Sequence, residues 1–409
     1  MTQSINQRLA AFVAQAYANA PAVTARFDAA GLSPDDVRSV ADLDKVPILP
    51  KDAVVALQQA NPPFGGLLGV PMSQVRHIFF SPGPIYEADA GDDDSLLRMA
   101  QAALTGSGFL AGDVVLNTLS YHLVPAGLLL DRALVDMGCT VIPGGVGNSD
   151  LQVKMMADLG VTGYVGTPSF LMGLLKKAKD LGLDPRSQLK VTKALVTAEP
   201  LPPSLRQALV EEYGISVGNA YATAELGFLA LNTTGGLPMT LLPEPIVQVV
   251  DPQTGQSVGP GEAGEVVVTN LDPVYPLIRL GAGDMAVNLD PAPGQSAQHQ
   301  RALILVGRSG EAVKVRGMFV HPNQLRFAAA QVAPITAIQG VVTRPEASRD
   351  HFAVRVALAN PQAAAPELAA ALQEAIRQSC RVRVDEVLFV AADAIPQGAP
   401  GMVDERSWT

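Results

Sequence analysis

The chain has 409 residues, 48% of them hydrophobic and 17% charged, with a net charge of −10 at pH 7. That much apolar material supports two domains, and a charged fraction below the usual ~25% leaves apolar surface for a subunit interface, so a homodimer is expected. The negative balance excludes nucleic acid and an anionic membrane as main partners.

The first 70 residues read as mostly helical, broken by Pro-rich turns at PILP (Pro47–Pro50) and NPPF (Asn61–Phe64). The opening MTQSINQRLAAFVAQAYANA lacks a basic region and reads as an amphipathic helix, not a signal peptide. Next comes FSPGPIYE, Phe80–Glu87, two apolar residues running into a turn. It resembles a phosphate-gripping loop that has lost its working parts. Ser81 and Gly83 are suitable, but Pro82 and Pro84 have no N–H to offer, and Glu87 adds negative charge. The acidic run Asp89–Asp94 reads as a helix cap and solvated loop.

From about residue 105 the pattern alternates. Strands are expected at DVVLNTLS from Asp113, CTVIPGG from Cys139, GVTGYVGTP from Gly160 and TKALVTAEP from Thr192. Helices fall between them at about Ala126–Met137, through Met155, and at Ser169–Leu181. This rhythm implies a mostly parallel sheet flanked by helices, with ligands at the carboxyl ends of its strands. The turns Gly144–Asn148, Thr167–Ser169 and Thr197–Pro200 therefore line one expected crevice. The longest uncharged run, about Leu159–Leu175, contains Gly, Thr, Ser and Pro168 and is a buried strand–turn–helix, not a membrane span.

After about residue 240 the strands look antiparallel, at Ile246, Gly264 and Arg301. Beyond Arg308 a small α+β unit is expected. It has strands at Ile338–Thr343, from Phe352 and at Val387–Val390, and an Ala-rich helix from Pro366 to about Gln378. The fold class is thus α/β, with a large N-terminal domain over residues 1–308 and a small mobile one over 309–409, and Gly310 is the expected hinge. Cys139 and Cys380 form no close pair and suggest a reducing cytoplasm. The five histidines (His77, His122, His299, His321, His351) show no metal-ligand spacing.

Several motifs in order resemble the phenylacetate–CoA ligase branch of the adenylate-forming enzymes. They are VIPGGVGN (Val141–Asn148), TPSF (Thr167–Phe170), TAEP (Thr197–Pro200), YATAE (Tyr221–Glu225), PLIR (Pro276–Arg279) with Gly283-Asp284, GRSGEAVKVRG (Gly307–Gly317) and PNQL (Pro322–Leu325). The resemblance implies ATP or AMP with magnesium, a small carboxylic acid or its thioester, and coenzyme A or an acyl-CoA. Residue by residue it implies that Ala198, Glu199, Pro200 and Tyr221 line the adenine. Asp284 and Arg308 then meet the ribose, Glu225 binds magnesium, and Tyr121, Gly144, Gly145 and Gly147 sit near the acyl group. His122, beside Tyr121, is either a general base facing the acyl pocket or a polar loop residue.

The phosphate end departs from the family pattern. The loop retains only Ser81 and Gly83, and Glu87 stands where the family has Lys. Ala224 replaces the hydroxyl residue before Glu225, and Gly310 the hinge Asp. No Lys follows Lys314, so the adenylating Lys is absent unless Arg381 or Arg406 serves in its place. The first expectation is a divergent AMP-forming ligase for an aryl or small apolar acid. The alternatives are an enzyme on the same scaffold acting on a ready-made acyl-CoA or acyl-adenylate by hydrolysis, elimination or acyl transfer, and a non-catalytic AMP or acyl-CoA binding protein.

Overall fold

The computed structural model describes residues 4–406 other than positions 82, 92–93, 309–312, 317, 321, 333–334, 347–348, 361, 363 and 381. The expected hinge Gly310, and with it Pro82, His321 and Arg381, lies outside the described residues. Contacts divide the chain into two units: residues 1–197 with 206–309, and residues 310–409 with the segment Ala198–Leu205.

The first unit begins with helices α1 (Ile5–Asn19), α2 (Pro21–Ala29) and α3 (Lys51–Ala60). Ser4 and Gln7 form a capping box that fixes where α1 starts. The FSPGPIYE stretch is a hairpin rather than an open loop, with β1 (His77–Ser81) and β2 (Ile85–Asp89) pairing Ser81 with Ile85 and His77 with Asp89. Helix α4 (Asp94–Gly106) leads into the alternating region. That region runs β3 (Val114–Asn117), α5 (Ala126–Asp136), β4 (Thr140–Pro143), α6 (Ser149–Asp158), β5 (Gly163–Gly166), α7 (Pro168–Asp180), α8 (Pro185–Gln188), β6 (Lys193–Val196), α9 (Pro203–Glu211) and β7 (Ser216–Thr223). Antiparallel strands follow: β8 (Gly227–Asn232), β9 (Met239–Leu241), β10 (Ile246–Val250), β11 (Ala263–Thr269), β12 (Leu280–Leu289) and β13 (Ala302–Arg308).

Strands β3 to β13 form a single 11-stranded sheet in the order β10-β11-β12-β13-β9-β8-β7-β6-β5-β3-β4. Pairing is parallel from β4 to β7 and antiparallel from β7 to β10. The fold class is the expected α/β type, with the antiparallel region continuous with the parallel one. Because β4 lies on one side of β3 and β5 on the other, the winding reverses there. The carboxyl ends of β3 and β5 thereby become a natural binding crevice.

Two hydrophobic clusters in this unit bear on the crevice and the antiparallel strands. One packs α4 and α5 on the parallel strands, through Leu104, Phe109, Leu130 and Leu195. The other joins α1, α2 and α3 to the antiparallel strands through Leu9, Phe27, Val54, Tyr221 and Leu280. Arg279, of the PLIR stretch, is fully buried in the second core and is structural. Its guanidinium donates to the carbonyls of Leu43 at 3.0 Å and Val46 at 2.6 Å, which ties the N-terminal segment to β12.

The second unit contains β14 (Val313–Val315), β15 (Met318–Val320), α10 (Pro322–Ala330), β16 (Ile335–Glu346), β17 (Arg349–Leu358), α11 (Pro366–Cys380), β18 (Glu386–Phe389) and β19 (Met402–Asp404). Strands β16–β19 form a four-stranded sheet in the order β18-β17-β16-β19, with its own core around Leu325, Phe352, Val354 and Ile376. Among the described residues no helix is long and apolar enough to cross a membrane.

Candidate functional site

The crevice at the ends of β3, β4 and β5 is built from backbone as much as from side chains. Asn117, the last residue of β3, is buried and donates to the Tyr121 hydroxyl at 2.9 Å and to the Gly127 carbonyl at 3.0 Å. Tyr121 in turn donates to Asp131 Oδ1 at 2.9 Å. Burial, followed by the Asp131 carboxylate, raises the Tyr121 pKa well above the ordinary phenol range, so its hydroxyl remains a donor at any working pH. His122 is exposed in the loop after β3, and the bonds that fix this stretch are its backbone N–H and C=O to Ser120 Oγ.

The Gly144–Asn148 turn closes the end of β4. Gly145 at φ 59° and Gly147 at φ 90° occupy left-handed backbone that a side chain would strain. Sequence reasoning missed the residue that holds this turn. Gln152, buried on α6, donates to the carbonyls of Gly144, Gly145 and Gly147 at 3.2, 3.1 and 2.8 Å. Its place one helical turn after Asn148 is the signal that could have found it. At β5, Gly166 is required by close approach, because a Cβ there would lie 2.0 Å from Thr118 Oγ1.

The TAEP turn leaves the carboxyl end of β6. Ala198 holds φ 73°, an uncommon conformation for a residue with a Cβ and one that clusters at functional turns. Glu199 is buried, and Pro200 completes the turn.

Tyr221, expected against the adenine, and Asp284, expected at the ribose, lie in the antiparallel region of the sheet. Tyr221 on β7 donates its hydroxyl to Asp284 Oδ2 on β12 at 2.8 Å. Each lies beside an irregularity in its ladder: β7–β8 shifts register between Tyr221 and Ala222, and β12–β13 between Met285 and Ala286. Such bulges re-aim side chains next to sites. Asp284 pairs across the ladder with Arg308, the last residue of β13.

The residues expected on the phosphate side are arranged differently from an open phosphate loop. Ser81 is fully buried, and its hydroxyl is turned back on the Ile85 carbonyl at 3.4 Å, inside the hairpin. Gly83 sits in the turn at φ 148°. Glu225, in the turn between β7 and β8, is buried, and both of its oxygens accept from Lys51 Nζ, at 3.1 and 3.0 Å. Burial pushes the Glu225 carboxyl up, but the Lys51 ammonium, together with the backbone N–H of Glu225 itself and the Thr223 hydroxyl, holds the group below the usual glutamate value. Glu87 on β2 is buried beside this pair, and its Oε1 has no hydrogen-bond partner. Burial, reinforced by the Glu225 charge, pushes Glu87 up to about 8 despite the Ser81 hydroxyl and Lys51. Glu87 is therefore mostly protonated at neutral pH.

The magnesium implied at Glu225 does not fit these residues. A small hard dication is held by one or two carboxylates and completes its octahedron with waters and substrate phosphates, whereas both Glu225 oxygens are engaged by an ammonium. Among the described residues no three His, Cys, Asp or Glu side chains form a group that could hold a metal ion. Lys51 was the decisive omission from the sequence reading. The substitution of Glu87 for a loop lysine was the available signal, since two buried carboxyls call for a cation nearby.

Arg406 does not stand in for the missing lysine either. It is buried in the second unit, bonded to Asp404 at 2.6 and 2.7 Å and to Asp350 at 3.1 Å.

A family model described as AMP-binding enzyme matches residues 94–271. The phenylacetate–coenzyme A ligase of Aromatoleum evansii is 29% identical over 331 residues, covering 78% of this chain and 73% of that protein. The Pseudomonas putida protein of the same name is 26% identical over 363 residues, covering 86% and 80%. A crystal structure of 2-hydroxyisobutyryl-CoA ligase, in complex with 2-HIB-AMP and CoA, superposes with a TM-score of 0.88 at 24% identity, covering 99% of this chain and 89% of that one. At that identity the likeness establishes the fold.

Proposed function

Because the chain belongs to the phenylacetate–CoA ligase-like branch of the adenylate-forming enzymes, we propose that it is an AMP-forming carboxylate–CoA ligase. In this reading it takes an aryl or small apolar acid through an acyl-adenylate to a CoA thioester. The observation that carries the reading is the Tyr221–Asp284 hydrogen bond at paired ladder irregularities. A carboxylate steadied by a phenol is the kind of acceptor that ribose hydroxyls need, and this supports the reading.

The remaining roles follow from this chain's own groups. Asp284 accepts from the ribose, and its backbone partner across the ladder is Arg308 on β13. The Tyr121 hydroxyl and the Gly144–Gly147 turn bound the acyl crevice at the strand ends. In thioester formation the CoA sulfur bonds to the acyl carbon, the carbon–oxygen bond to AMP breaks, and the thiol proton leaves to solvent. That half-reaction asks nothing of a triphosphate grip. The adenylation half has lost outward hydroxyls at Ser81 and has no lysine after Lys314, so it is the slower half.

The test supplies the two halves separately. Arylacetic and small branched acids are given with Mg–ATP and CoA, and the matching acyl-adenylates with CoA alone, while AMP and thioester are measured. Both routes should yield both products, the adenylate route faster by at least tenfold. Absence of thioester from either route across the panel refutes the reading.

A further inference from the structure

Lys51 occupies an unfavourable place for a cation. It is the first residue of α3, where the helix dipole already presents partial positive charge. Its ammonium lies 3.1 and 3.0 Å from the two oxygens of Glu225, a carboxylate side chain only 3% exposed. A pair in this position is retained against the dipole and against desolvation because Glu225 would otherwise be a buried, uncompensated charge.

Glu87 completes the arrangement. It comes from β2, at the position where the family pattern has lysine, and is buried next to Glu225 with Oε1 unpartnered. Tyr275 and Gln58 close the same buried polar region, Gln58 Nε2 donating to the Tyr275 hydroxyl and to the Tyr86 carbonyl, each at 2.7 Å. The positive charge expected from a loop lysine and from a metal is thus supplied by one residue of a different element.

We propose that the Lys51 ammonium is a built-in replacement for the divalent cation at Glu225, so that this carboxylate binds no metal and the site keeps its positive charge without one. The carboxylate is retained because it anchors the lysine. The inference concerns the charge at Glu225 and stands independently of which acid is activated.

Manganese uptake by the full-length protein, read from loss of the free-ion EPR signal, tests this without recourse to activity. Wild type and Glu225→Gln should bind the same amount of Mn2+ up to millimolar concentration. Lys51→Met, which leaves the Glu225 and Glu87 carboxyls together, should gain one ion at least tenfold more tightly, and Lys51→Met/Glu225→Gln should lose it. An additional Mn2+ in wild type that Glu225→Gln removes overturns the proposal. So does a folded Lys51→Met protein that gains no ion, since the ammonium would then not be what excludes the metal. If Lys51→Met fails to fold, the comparison of wild type with Glu225→Gln still decides.

Discussion

Tyr221 and Asp284 are joined by a 2.8 Å hydrogen bond although their strands stand four places apart in the sheet, β12-β13-β9-β8-β7. In a flat sheet that separation is about 19 Å, from four spacings of ~4.8 Å. The antiparallel half must therefore curl strongly on itself, and its right-handed twist and the ladder irregularities next to both residues provide the means.

Removing Asp284 separates a binding role from a structural one. Asp284→Ala should weaken AMP by roughly 1–3 kcal/mol, the range for a charge-assisted hydrogen bond. Asp284 is only half-buried, so stability should change little. Tyr221→Phe, which keeps the ring but not the donor, should cost AMP affinity less. Calorimetric titration with AMP, paired with thermal melts, checks both. Unfolding of Asp284→Ala, with no AMP binding by wild type, would make the carboxylate structural.

The two buried glutamates predict opposite pH effects. Glu87 has a folded pKa raised to about 8 from a reference of 4.5, so the native state holds its proton more tightly than the unfolded chain. Its contribution is complete below about pH 4.5 and is lost as pH rises towards 8. Glu225 has a lowered folded pKa, so its contribution is present above its unfolded value and lost on acidification. Glu87→Gln mimics the protonated form. It should flatten the decline between pH 5 and 8 and raise stability at pH 8 by a few kcal/mol. Urea melts across that range provide the measurement, and a parallel decline in wild type and variant would contradict it.

The Gly144–Asn148 turn should depend on Gln152. Gln152→Leu removes the side-chain amide whose two N–H groups are shared among three turn carbonyls. A stability loss of about 1–3 kcal/mol is expected. In steady-state assays KM for the acid should rise several-fold while AMP affinity stays unchanged. Equal losses for acid and AMP would mean that the turn supports the whole fold.

Arg406 should matter for stability and not for chemistry. It shares buried Asp350 with Arg344, whose guanidinium approaches to 2.6 Å, and Arg406→Ala leaves that carboxylate under-compensated. Breaking such a buried network costs about 3 kcal/mol or more. The melting temperature should fall, while thioester formation from a supplied acyl-adenylate, per folded molecule, stays near wild type. A rate loss without a stability loss would return Arg406 to the site.

The sequence by itself determined the alternating α/β framework, the antiparallel region, the small α+β unit and the turns at the strand ends. These rest on local periodicity and on short turn motifs such as Gly144–Asn148 and Thr197–Pro200, which a single segment expresses without reference to the rest. It also located the degenerate stretch at Ser81–Glu87, because the loss of donors and of a lysine can be read from residue type alone. Tertiary structure alone decided that this stretch is a hairpin with Ser81 turned inward, since pairing between Ser81 and Ile85 is a matter of partner and not of propensity. It alone brought Tyr221 to Asp284, 63 positions away in sequence, and Lys51 to Glu225, 174 positions away. Long-range pairing of buried charge leaves no periodic trace in a sequence. Nothing in the sequence singles out Lys51, and only the placement of the α3 N-terminus beside the β7–β8 turn makes it the counter-ion of Glu225.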